Sequence, residues 1–234
     1  MAYFDAIATL SFSKPANLDQ QFYQPAAAAA ALPAHALFGT AHALFATIAD
    51  ISRLAQAAPL RHASALSEAA FGSAAAALEL QLQRWTPAPC SSLTSDPHLE
   101  AKITAAGVML QWAALMRLHL VVAAAPVDCA HPKVRVAVAN ILAALDAIPQ
   151  GDLVESMLIF PVFAAGVGAA TATERARVDR RFAVMEKSIG FGNVFDAHDA
   201  VRAHWARTDA GAYAGRSASW EEVVANAGGS LIMS

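Results

Sequence analysis

One stretch constrains this chain more than any other: Leu153–Ala170 carries apolar residues on every face. A surface helix keeps a polar side for water, whereas a helix greasy all round has to be enclosed by others. Pro161 lies inside the stretch. Proline has no N–H to donate and its ring crowds the preceding turn, which predicts a kink there. The expected fold is all-α: a single multi-helix domain packed around a central apolar, proline-kinked helix.

The remaining sequence supplies helices to do the enclosing. Strand-like alternation hardly appears, and Ala and Leu outnumber β-branched runs. With 234 residues, 56% hydrophobic and 15% charged, the chain fits one large domain and is not disordered as a whole. Residues 1–33 read as a lead-in, interrupted by Pro15, Pro25 and Pro33 and partly low in complexity at Ala26–Ala31. The helical domain then spans 34–234, with roughly seven or eight helices and no internal repeat.

Helix boundaries are written in local chemistry. Asp96-Pro97 is an N-cap followed by proline at the first helical position, where the missing N–H costs nothing. Thr171…Glu174 and Ser219…Glu222 fit capping boxes. Gly190 and Gly192 can end a helix, Asn193 can cap the next, and Gly228-Gly229 closes the last one. Val178, Phe182, Met185 and Ile189 form one apolar stripe, and Val194, Ala197, Val201 and Trp205 another. Asp179, Arg180, Glu186 and Lys187 occupy the other side of the first of these helices.

Charge and reactive residues exclude whole classes of function. A net charge of −3 argues against direct nucleic-acid contact by this chain, because phosphate neutralisation needs a basic excess. Arg175, Arg177, Arg180 and Arg181 are interleaved with Glu174 and Asp179 and read as a solvated helix face. Cys90 and Cys129 are too few for a disulfide framework and point to a reducing compartment. The N-terminus lacks the basic region of a secretory signal. A mean hydropathy of +0.40 directs attention to Met157–Ala172 and Ala105–Val127 as membrane segments. The first is short and holds Pro161, and the second holds Arg117 and His119, so buried core helices are expected, with no membrane insertion.

No arrangement announces catalysis. His198 and His204 are six residues apart and point about 240° from each other on a helix. His35 and His42 sit about two turns apart, and Cys129-x-His131 is a lone pair. Asp196-x-x-Asp199 is a single carboxylate pair beside a helix start. Gly166-x-Gly168 lies in a helix rather than after a strand, which rules out a dinucleotide fingerprint. No GxSxG elbow, HExxH or phosphate loop occurs. The chain does not read as an enzyme, and no metal or cofactor is expected within it.

The last third narrows the class. Ile159-Phe160-Pro161-Val162-Phe163-Ala164-Ala165-Gly166 resembles the apolar-Pro-apolar-apolar-Ala-Gly segment of the fungal-specific transcription factor domain, the regulatory region C-terminal to zinc-cluster DNA-binding domains. The order after it also matches: a helix with Arg175 and Arg181, then Gly190-Phe191-Gly192-Asn193-Val194, then a helix ending Trp205-Ala206-Arg207-Thr208-Asp209. Trp220-Glu221-Glu222-Val223, Gly228 and Leu231-Ile232-Met233 close the pattern. Upstream, Leu44–Leu54 is similar to the family's first long helix, and Leu78-Glu79…Leu82…Trp85-x-Pro87 to its leucine-then-tryptophan-proline marker. The resemblance spans about residues 32–234.

The resemblance implies a nuclear regulator of RNA polymerase II transcription, with shuttling from the cytoplasm open to it. It also implies a homodimer, co-regulator contacts, and a hydrophobic small molecule such as a sterol as ligand. The family's usual arrangement begins with a zinc cluster and a basic linker, neither of which is in this chain, so zinc is expected only in such a cluster. The chain is then a fragment of a longer regulator, or a stand-alone helical lipid- or sterol-binding relative without DNA binding. The candidate ligand-binding residues are Met157, Phe160, Phe163, Gly166, Phe191, Gly228 and Leu231. They gather where a proline gap would leave room and where the tail Gly228–Met233 could close over it. The competing reading of the same aromatics is plain core.

Overall fold

In the computed structural model, the structure describes residues 33–87, 96–123, 127–213 and 218–225. Among them there are eight α-helices and no strand, in agreement with the expected all-α class. They are α1 (Pro33–Ala57), α2 (Ala65–Arg84), α3 (Pro97–Ala123), α4 (Pro132–Leu145), α5 (Ile159–Gly168), α6 (Ala172–Ser188), α7 (Gly192–Asp209) and α8 (Trp220–Ala225). Two 3₁₀ turns, Ala58–Ala63 and Leu153–Met157, precede α2 and α5. Residues 1–32 of the lead-in, Cys90 and the tail from 226 onward lie outside the described residues, as do the side chains of His35 and His42.

The centre is α5. Every residue from Ile159 to Gly168 is buried, and the helix touches α3, α4, α6 and α7. Its surroundings explain why it carries no polar stripe. The apolar stretch is not one bent rod, however. Leu153–Met157 forms a 3₁₀ turn capped by Asp152, whose side chain accepts from the Val154 N–H at 3.0 Å. Leu158 separates that turn from α5, and Pro161 then falls in the first turn of α5. A proline there gives up an N–H that has no partner within the helix, so it starts the rod rather than kinking it midway.

Two glycines let α5 approach its neighbours closely. A Cβ on Gly166 would lie 2.7 and 2.9 Å from the two γ-carbons of Val201 on α7, and 3.2 Å from Val178 on α6. A Cβ on Gly168 would meet Val138 on α4 at 2.7 Å and Met116 on α3 at 2.9 Å. The pair Gly166-x-Gly168 thus marks two helix contacts on opposite sides of one rod. The Trp205 indole N–H adds a 2.8 Å hydrogen bond to the Gly166 carbonyl.

The outer helices use the caps and stripes read from sequence. The Asp96 carboxylate accepts from the His98 N–H at 2.9 Å, and the Thr171–Glu174 capping box is complete. The Ser219–Glu222 box also has both of its bonds, at 2.8 and 3.1 Å. Val178, Phe182 and Met185 are buried on α6, and Val194, Ala197, Val201 and Trp205 on α7. Gly190 takes φ +68 after α6. The cap of α7 is the extended Phe191 and not Asn193, which is the second residue of the helix and is itself buried.

Helix α3 is long and apolar enough, by length and composition, to cross a membrane, but 72% of that window is buried inside the fold. Arg117 shows how. Its guanidinium lies 5.2 Å from the Trp220 ring centroid and donates to Glu221 Oε1 at 2.7 Å. The helix therefore reads as a core element whose one buried charge is neutralised by α8.

Candidate functional site

The arginine run on α6 is where the structure departs most from a solvated face. Arg181 is buried and donates to Glu155 Oε1 at 2.7 Å, and to the carbonyls of Leu145, Ile148 and Pro149. Arg177 bonds the Asp146 carboxylate and the Leu142 carbonyl, each at 2.8 Å. Arg175 bonds both Asp209 oxygens at 2.8 Å and lies over Trp205 at 5.6 Å. Three of the four arginines are thus ties from α6 to α4, to the 3₁₀ turn and to α7. They are not a strip left open for phosphates.

His198 and His204 do point apart, each to its own surroundings. His198 is fully buried and stacks on Phe182 with ring centroids 5.0 Å apart. Its two ring nitrogens lie 2.9 Å from Asp179 Oδ1 and 2.5 Å from Glu186 Oε1. Those two carboxylates, read as part of a solvent face, are held by α7. Among the described residues no group of three His, Cys, Asp or Glu side chains is placed to hold a metal ion.

His204 points instead toward a cleft of about 470 Å³ at the C-terminal end of α5. Four separate pieces of chain build it. It is lined by Val127–Ala130, by Ala169, Ala170 and Arg175, by His204, Thr208, Gly211 and Tyr213, and by Ala218.

Local bonds tie together the segments that line this cleft. The Val127 N–H donates to the Ala218 carbonyl at 2.6 Å, joining the chain before α4 to the chain before α8. At the other side, Glu174 takes two hydrogen bonds from Arg135, and accepts from the N–H groups of Ala170 and Thr171 at 3.1 Å. The Arg135 bonds come first in holding its carboxyl far down, at about 2, with the backbone N–H groups adding to them. The turn 169–171 is thereby pinned against α4.

Cys129 donates its thiol to the Val167 carbonyl at 3.5 Å, and burial pushes that thiol up from its ordinary range. It is a packed thiol rather than an activated one. Burial pushes the His204 imidazole down from its ordinary range, with nearby Arg175 lowering it further. Two buried nitrogens at this site, His204 Nδ1 and Arg175 Nε, have no hydrogen-bond partner among the described residues.

The residues read from sequence as ligand contacts are distributed differently. Phe160 and Phe163 are wholly buried, and both meet the Trp220 ring edge-on, at 6.2 and 5.4 Å. The indole occupies the space expected beside Pro161. Gly166 is closed off by Val201 and Val178, and Met157 is packed at the edge of the core. Phe191 is 61% exposed at the start of α7. Gly228 and Leu231 lie outside the described residues.

A comparison with family models decides the class. The model of the fungal specific transcription factor domain matches residues 1–233. The chain belongs to that family. No curated protein and no solved structure matches it. Within this fungal specific transcription factor domain, the family-like segment Ile159–Gly166 is the buried helix α5, and Trp85 closes α2. The Gln111 side chain donates to the carbonyls of Leu82 and Trp85, at 2.6 and 3.2 Å, at that closure. These motif residues are architectural. Of the cleft residues, His204 and Cys129 entered the sequence reading only as side chains without a metal-binding partner, and Tyr213 carried no signal of its own.

Proposed function

We propose that this domain is the regulatory part of a fungal zinc-cluster transcription factor and controls RNA polymerase II transcription in the nucleus. The observation that carries the reading is the family match over nearly the whole chain. The electrostatics support it: a net charge of −3 and arginines committed to internal ties leave DNA contact to another segment. A small apolar molecule, homodimerisation and co-regulator contact are the inputs through which such a domain sets activity. No catalytic role enters this reading. The cleft beside α5 is the place where a ligand would act.

The test is a fusion of residues 1–234 to an unrelated DNA-binding domain in a fungal host carrying a reporter with that domain's sites. Reporter output should change several-fold relative to the DNA-binding domain alone. The unfused chain should not retard DNA in a gel at moderate salt. Unchanged reporter output, or firm DNA binding by the unfused chain, would overturn the reading.

A further inference from the structure

We propose that the outer face of α7 docks on the same face of a second copy of this chain, with the two helices antiparallel about a two-fold axis at the level of Ala200 and Val201. The use of such a dimer in regulation rests on the regulatory reading above. The face and its orientation rest on α7 itself.

Val194, Ala197, Val201 and Trp205 commit one side of α7 to the core. On the other side Gly192, Phe195, Asp199, Arg202 and Ala206 are exposed and recur at steps of three and four, the spacing of a helix–helix seam. Phe195 is 43% exposed, and Phe191, four positions earlier, is 61% exposed. Two large aromatic side chains left in water at one end of a helix, rimmed by charged residues, mark a surface suited to a protein partner.

The charges select the partner. Asp196 and Asp199 lie in the first half of α7, and Arg202 and Arg207 in the second. Asp209 at its end is taken up by Arg175, which bonds both of its oxygens at 2.8 Å. A two-fold interface has to be self-complementary, so each residue must meet a fitting one equally far beyond the axis. Phe195 and Ala206 are equally far from the Ala200–Val201 midpoint, as are Asp199 and Arg202, and Phe191 and Ala210. Antiparallel packing therefore sets the Phe195 ring over the small Ala206 of the other copy and the Asp199 carboxylate beside its Arg202, each contact occurring twice. Arg202 can serve both chains. Its Nε donates to Asp179 at 2.7 Å, its side chain stays 53% exposed, and that bond uses neither Nη group. A parallel pair would instead set Asp199 against Asp199 and Arg202 against Arg202, and facing like charges are costly.

Analytical ultracentrifugation of the whole chain should show a reversible monomer–dimer equilibrium in the micromolar range. Ala206→Arg and Asp199→Arg, both at exposed positions, should each weaken the dimer at least about tenfold without changing helical content. Arg202→Glu should weaken it too. An equimolar mixture of Asp199→Arg with Arg202→Glu should regain dimers, because each lost pair re-forms with its signs reversed. Mild oxidation of the double variant Phe195→Cys with Ala206→Cys should give a covalent dimer. Either substitution alone should not, since equivalent positions then lie about 16 Å apart along the helices. Those single variants also control for Cys90 and Cys129. Should Arg202→Glu impair folding through its lost bond to Asp179, the other variants still decide. A chain monomeric at every concentration, a dimer indifferent to Ala206→Arg and Asp199→Arg, or failure of the cysteine pair to cross-link would overturn the proposal. If Ala206→Arg lowers reporter output in a chain that is monomeric throughout, the face serves a different protein and the second copy is wrong. If dimers form as described while the reporter fusion stays silent, the surface stands and the regulatory reading falls.

Discussion

Arg181 and Glu155 form an ion pair at 2.7 Å with their side chains 7% and 0% exposed. Ser188 Oγ donates to the second Glu155 oxygen at 3.1 Å, and three backbone carbonyls accept from the two Nη groups of Arg181. A buried pair gains little over apolar packing, but breaking it strands a charge. Arg181→Met should cost about 3–5 kcal/mol. The double variant Arg181→Met with Glu155→Met should recover a large part of that loss. Urea unfolding of the three proteins measures both. A single-variant loss below about 1 kcal/mol would show that the pair does not matter to the fold.

Gly166→Ala tests the close crossing of α5 and α7. Alanine is the better helix former, so propensity alone would favour it by about 1 kcal/mol. The new methyl would lie 2.7 Å from Val201 Cγ1, on a branched side chain with little freedom to turn aside. Overpacking of this kind costs about 1–3 kcal/mol, so the net effect is destabilising. Adding Val201→Ala should relieve it. A thermal melt that rises for the single variant would contradict the crossing.

How much of this could be read in advance follows from how far apart the interacting residues lie. The caps at Asp96, Thr171 and Ser219 involve residues two or three apart, and each appears where sequence placed it. Pro161 was identified as a disturbance but not where it falls. Whether proline starts or breaks a helix depends on the preceding boundary, and Leu158 carries no cap signal of its own. Arg181 looked solvated because Glu155, its partner, lies on a separate element. Phe160 and Phe163 looked available because Trp220 fills their neighbourhood from far along the chain. The cleft draws on four segments and has no sequence period at all.

Glu174 gives a pH dependence with a definite sign. Its carboxyl is held down to about 2 in the folded state, foremost by the Arg135 bonds, against 4.5 ordinarily. A depressed carboxyl stabilises the fold above its unfolded value and loses that contribution as pH falls toward the folded one. Discounted for the partly exposed Arg135, the contribution is about 2 kcal/mol at neutral pH. The stability gap between the native chain and Glu174→Gln should be full above pH 5 and close between pH 4.5 and 2. Chemical denaturation at a series of pH values checks it, and a gap independent of pH would refute the assignment.

His198 joins α7 to α6 in two ways that substitution can separate. Its ring stacks on Phe182 at 5.0 Å, and its nitrogens meet Asp179 and Glu186. His198→Phe keeps a ring of similar area for the stack but removes both hydrogen bonds. The carboxylates it leaves are partly exposed, and Arg202 Nε still donates to Asp179 at 2.7 Å, so the loss should be about 1–2 kcal/mol. His198→Ala removes the ring as well and opens a cavity against Phe182, raising the loss to about 3 kcal/mol or more. If both variants lose the same amount, the ring's packing contributes nothing and the α6–α7 contact rests on the two carboxylates alone.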